Sequence, residues 1–213
     1  MKNTFKCIAF DFDGTIADSK DIFLNIFNLL AQKHEFKPLT QQNLMQIRKL
    51  SVKERLTYLD IPMYKLPLLS AKFLQLYNES AGEIKIIAGM RDVLYDLHRN
   101  GYQLAIISSN SRKNVEQFLQ NNRIDCISYL HCSSSIFGKD KVIRKFLKTY
   151  KFSSEQVIYV GDERRDIEAS NKNNIQIIWV NWGYDDKNSI SDYPPDFIAS
   201  KPPEISEIIH SAY

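Results

Sequence analysis

Two aspartates separated by one residue, in Asp11-Phe12-Asp13-Gly14-Thr15, are the most reactive grouping in this sequence of 213 residues. Like charges this close repel and lose solvation when buried, so the pair makes sense only where a cation or a reaction uses both carboxylates. Three further polar clusters follow along the chain. Ser108-Ser109-Asn110 offers hydroxyl, amide and backbone N–H donors suited to phosphate oxygens. Phe137-Gly138-Lys139 places a cation at the start of a helical pattern, against the helix dipole, which suggests a separate purpose such as holding an anion. Gly161-Asp162-Glu163-Arg164-Arg165-Asp166 supplies more carboxylates, and Asp162, Glu163 and Asp166 are hard oxygen donors appropriate to Mg2+.

These clusters sit where strands should end or helices begin. Phe5 to Phe10, Leu104 to Ser108, Val157 to Val160 and Ile175 to Val180 are short, continuous and apolar, as strands buried on both faces are. Helical patterns over Arg91 to Asn100, Arg112 to Asn121, Lys139 to Tyr150 and Arg165 to Asn173 alternate with them. The expectation is an α/β fold, a doubly wound parallel sheet, whose strand ends are the usual place for a ligand.

The stretch 19–85 is different, with helical stripes and no convincing strand. Ile22, Phe23, Ile26, Phe27, Leu29 and Leu30 repeat at helical spacing after Ser19 as an N-cap, Thr40 opens a second helix, and others start near Ser51 and Pro67. We therefore expect a core of residues 1–18 and 86–213 with an inserted helical unit at 19–85. The insert carries ten Lys or Arg against six Asp or Glu, whereas the whole chain has a net charge of only +3. Arg48 and Lys53, between two of its helices, are the side chains expected to face a substrate. The segment from Asp185 to Pro195 reads as a loop.

Taken in order, the four clusters resemble the motifs of the haloacid dehalogenase-like superfamily, and the DxDGT signature followed by GDxxxD makes the resemblance specific. It covers essentially the whole chain. The insert after the first motif is similar to that of the helical-cap subclass containing phosphoglycolate phosphatase and β-phosphoglucomutase, with a Rossmann-like core. The resemblance implies a Mg2+-dependent phosphatase acting on a small phosphomonoester through an aspartyl phosphate. On matching positions, Asp11 is the nucleophile and Asp13 the acid and then base. Ser109, with Asn110, Gly14 and Thr15, binds the phosphoryl group. Lys139 neutralises charge. Asp162 ligates Mg2+ with Asp11 and the backbone carbonyl of Asp13, and Asp166 and Glu163 support the site from behind. The third motif departs from the Lys-Pro of many capped relatives, so Lys141 competes with Lys139 for the lysine role.

Two other readings share parts of this chemistry. A phosphomutase returns the phosphoryl group to its substrate, and Thr15 after Gly14 mildly favours a phosphatase. A signalling module phosphorylated on aspartate is smaller and lacks a cap. Composition supports an ordinary globular protein, 44% hydrophobic and 25% charged. No concentrated basic stripe points to nucleic acid and no apolar run approaches the ~20 residues of a membrane span. Three cysteines at no metal-site spacing argue against a disulfide scaffold, so a cytoplasmic enzyme is expected. Neither the substrate nor the oligomeric state follows from these residues.

Overall fold

A computed structural model describes residues 5–133 and 138–211. Phe137, expected to open the third cluster, lies outside the described residues. Six parallel strands form one sheet in the order β5-β4-β1-β6-β7-β8, comprising β1 (Cys7–Phe10), β4 (Gln103–Ser108), β5 (Ile127–Cys132), β6 (Val157–Gly161), β7 (Gln176–Val180) and β8 (Phe197–Ala199). The period of two along each strand sends alternate residues to opposite faces. Ile8 and Phe10 of β1 join Leu104, Ile106, Ile158, Val160, Ile178 and Val180 on one face. Cys7 and Ala9 join Ala105, Ile107, Val157, Tyr159, Ile177 and Trp179 on the other.

Each face is covered by helices, which is why the central strands read as unbroken apolar runs. The first takes α5 (Met90–Arg99), α6 (Arg112–Asn121) and α9 (Pro203–Ser211). The second takes α7 (Lys139–Tyr150) and α8 (Arg164–Asn171). The α/β, doubly wound expectation holds, and β5, β8 and α9 are additions to what the sequence suggested. Several ends shift by one or two residues: the first strand begins at Cys7 rather than Phe5, and the helix expected from Arg165 begins at Arg164.

The order in which strands are added across the sheet reverses at β1. From β1 the order runs out through β4 to β5, then resumes on the opposite side at β6. Asp11 follows β1 and Asp162 follows β6, so both acidic clusters emerge from neighbouring strand ends at the crevice such a reversal creates.

Beyond β1 the chain turns tightly. The Phe12 carbonyl accepts from the N–H groups of Ile16 (3.0 Å) and Ala17 (2.9 Å), while Gly14, at φ 79°, takes the left-handed conformation that favours glycine. The short β2 (Ala17–Asp18) then pairs antiparallel with β3 (Lys85–Ile86), so the chain leaves and re-enters the core side by side. Between these strands lie α1 (Lys20–His34), α2 (Gln41–Ile47), α3 (Val52–Tyr58) and α4 (Leu66–Ser80), the cap helices. Thr40 and Ser51 cap α2 and α3 by accepting from the N–H groups of Asn43 and Glu54. Ser19 precedes α1, but its hydroxyl is paired with that of Tyr184 at 2.8 Å instead of closing the helix end. Leu39, Ile47, Leu59, Ile61 and Leu69 form a small apolar core within the cap.

Candidate active site

Asp11 is buried at 4% exposure, immediately beyond the last residue of β1. Its Oδ1 accepts the N–H of Phe12 at 2.8 Å and its Oδ2 accepts Lys139 Nζ at 2.6 Å. Lys139 is the first residue of α7, preceded by Gly138 at φ 83°, and its side chain reaches back to the strand ends. The same ammonium also pairs with Asp166. Burial disfavours the ammonium, but Asp11 and Asp166 outweigh that effect and hold Lys139 well above the ordinary lysine range. Lys141, the alternative lysine, is exposed.

Asp162 is fully buried, with Oδ1 accepting the Thr15 hydroxyl at 2.8 Å and Oδ2 accepting the Tyr184 N–H at 2.6 Å. Trp179 steadies the same residue by donating its indole N–H to the Asp162 carbonyl at 2.8 Å. Asp166 Oδ2 accepts the N–H groups of Asp162 (3.1 Å) and Glu163 (3.0 Å), which ties the start of α8 to the end of β6. Glu163 turns to Arg165, with Nε to Oε2 at 2.5 Å.

One oxygen from each of Asp11, Asp162 and Asp166 lies within 4.8 Å of the others. Burial pushes the Asp162 carboxyl well above its usual range, and the charges of Glu163, Asp166 and Asp11 push it further. Burial likewise lifts Asp166 to about 6, against the pull of Lys139. Three buried carboxylates around a single ammonium are short of positive charge, and hard oxygen donors at this separation suit a divalent cation such as Mg2+. Asp11, Asp162 and Asp166 together could hold such an ion, although Asp166 already pairs with Lys139 and accepts two backbone N–H groups.

Asp13 lies on the pocket side of the turn. Its Oδ1 accepts the Tyr77 hydroxyl from α4, and its Oδ2 accepts Asn110 Nδ2 at 3.0 Å. Asn110 is itself fixed by Asn114 and by the Ser111 N–H, both at 2.8 Å on its Oδ1. Ser109 lines the same pocket as Asp11 and Asp13. Tyr77 was not anticipated, since nothing local in the sequence separates this tyrosine of an apolar helical stripe from ordinary core.

The cap rests on residues 182–185 of the loop after β7. Arg48 Nε donates to the Tyr184 carbonyl at 2.6 Å, and its Nη2 to the carbonyls of Gly183 at 2.8 Å and Asp185 at 3.0 Å. Arg55 pairs with the Asp185 carboxylate, and Lys20 donates to the Trp182 carbonyl. Arg48 thus stands in the pocket wall with its guanidinium on backbone oxygens, while Lys53 is exposed along a separate cleft. An added Cβ at Gly183 would lie 1.9 Å from Asp162 Cβ, so only glycine lets this loop approach the carboxylates.

The haloacid dehalogenase-like hydrolase family matches residues 8–180. A phosphoglycolate phosphatase of Synechococcus elongatus is 28% identical over 96% of this chain and 97% of its own length. Pyrophosphatase PpaX of Anoxybacillus flavithermus is 21% identical over 95% of each chain. Among solved structures, a haloacid dehalogenase-like family hydrolase from Streptococcus pneumoniae superposes with a TM-score of 0.82 at 22% identity, covering 98% of this chain and 100% of that one.

Proposed function

Since the chain belongs to the haloacid dehalogenase-like hydrolase family and is a phosphatase within it, we propose that it hydrolyses a small phosphomonoester by way of a phosphorylated Asp11. The observation that carries this reading is the Lys139 ammonium joining Asp11 to Asp166 inside a buried carboxylate cluster. A carboxylate nucleophile repels a phosphate dianion unless positive charge surrounds both, and phosphoryl transfer depends on that neutralisation more than on covalent help. A divalent cation, Mg2+ by its preference for carboxylate oxygens and water, supplies charge neutralisation for the phosphoryl oxygens when held by Asp11, Asp162 and the Asp13 carbonyl.

The residues then divide the work. Asp11 attacks phosphorus, the bond from phosphorus to the ester oxygen breaks, and Asp13 gives that oxygen its proton. Asp13 next takes a proton from the water that attacks phosphorylated Asp11, releasing inorganic phosphate and the free carboxylate. Tyr77 and Asn110 fix the Asp13 carboxyl between them. Ser109 and Asn110 receive the phosphoryl oxygens, and Gly14 and Thr15 shape the turn beneath. Helices of the segment 19–85 act as a cap that excludes water from the intermediate.

Mass spectrometry after acid quench tests the covalent step. With a good aryl leaving group, Asp13→Asn should accumulate one phosphoryl group on the peptide containing Asp11, and Asp11→Asn should carry none. An unmodified peptide in Asp13→Asn at full turnover would refute the scheme. Calorimetric titration with Mg2+ should give binding that Asp162→Asn weakens at least tenfold, and chelator should abolish turnover.

A further inference from the structure

We propose that the substrate's leaving group is apolar, an alkyl or aryl body seated inside the cap, and that small carboxylated esters are disfavoured. This rests on the phosphatase reading above and adds the substrate class. A cavity of about 400 Å³ runs from Asp11 and Asp13 into the space between the cap helices. Its upper wall is made by Phe27 of α1, Leu44 and Ile47 of α2, Leu56 of α3, and Phe73 and Leu74 of α4. This volume lies in the range of small-molecule pockets, and an engineered cavity of about 150 Å³ with similar walls already binds benzene. Because the cavity opens directly onto the two aspartates, its occupant is the part of the ester that leaves with the alcohol oxygen.

The charged side chains on the wall are engaged elsewhere. Lys20 donates to the Trp182 carbonyl, and Arg48 to the carbonyls of residues 183, 184 and 185. Arg55 holds Asp185 and, through Nε, the Leu50 carbonyl at 2.8 Å, while Arg165 pairs with Glu163. A carboxylate or second phosphate on the leaving group would have to break one of these pairings or enter an apolar space unpaired, and the second is costly. A methylene group placed there gains up to about fourfold in affinity from burial.

Primary alkyl phosphates from ethyl to octyl share one leaving-group chemistry, so differences among them report contact with the cavity. With the full chain and Mg2+, kcat/KM should climb about twofold to fourfold per methylene until the cavity fills. The value for 2-phosphoglycolate should fall at least tenfold below that for butyl phosphate. Leu74→Lys, which sets a cation in the wall, should flatten the alkyl series and raise kcat/KM for 2-phosphoglycolate. A wild-type series flat in chain length, or led by 2-phosphoglycolate, overturns the proposal while leaving the phosphatase intact. Calorimetry on Asp11→Asn separates the two ideas. Equal Kd for ethyl and hexyl phosphate in this variant refutes the apolar site, whereas a rising affinity there combined with a wild type that hydrolyses none of these esters would refute the phosphatase reading instead.

Discussion

Lys139 and Lys141 differ by two positions, and the helix separates them by about 200° around its axis. The structure places Lys139 on Asp11 and Asp166 and leaves Lys141 in solvent. Lys139→Ala is therefore expected to lower kcat/KM by at least a hundredfold and Lys141→Ala by less than twofold, measured with a common aryl phosphate. Tyr77 adds a second test at this scale. Burial, with the Asp13 charge beside it, holds its hydroxyl above the ordinary tyrosine range, so it stays a donor at neutral pH. Tyr77→Phe should lower kcat about tenfold with KM little changed, because only the aim of the Asp13 proton is lost. An unchanged kcat would make Tyr77 a packing residue.

At the scale of elements, the loop after β7 and the caps of α2 and α3 decide how the cap is held. Ser51→Ala removes the acceptor for the Glu54 N–H and should cost about 1 kcal/mol, a fall of about 2–4 °C in Tm by calorimetry. Gly183→Ala should be far more damaging, since its new Cβ would occupy the space of Asp162. We expect at least a hundredfold loss of activity and a Mg2+ affinity reduced in parallel. The central strands were readable because both of their faces are buried. Strand β5 was not, since Ile-Ser-Tyr-Leu-His-Cys at the sheet edge is half exposed and mixes polar with apolar residues. The ladder of β2 with β3 has two residues on each side, too few to carry a period. The acidic clusters and Lys139 were legible as local motifs. Tyr77, the Tyr184 hydroxyl and the anchoring of Arg48 were not, because their partners lie 64 to 165 positions away in the chain and no local pattern records such pairings.

For the molecule as a whole, the joint between cap and core is expected to respond to pH. Burial and the Glu163 charge raise the Asp185 carboxyl to about 6, against the attraction of Arg55. The folded value lies above the ordinary carboxylate value, so this group favours the fold at low pH, and that contribution is lost as pH rises through 6. Its ion pair with Arg55 thus orients the cap without adding net stability, and protonation below about pH 6 is expected to break that pair while Arg55 keeps the Leu50 carbonyl. Trp182, whose carbonyl takes Lys20, reports on this loop. Its fluorescence should titrate with a midpoint near 6 in the wild type and lose that step in Asp185→Asn. Identical titrations would place the pH response elsewhere.

The grip of Lys20, Arg48 and Arg55 on residues 182–185 also bears on timing. If the alcohol and phosphate of the proposed reaction leave only when those bonds let go, release is tied to the same loop that lends its Tyr184 N–H to Asp162. An opening slower than chemistry would make the first turnover outrun those that follow. Rapid mixing with a chromogenic aryl phosphate should give a burst of phenolate equal to the enzyme concentration. Arg48→Ala should erase the burst by hastening release, so that the step setting the pace moves from the joint back to phosphorus.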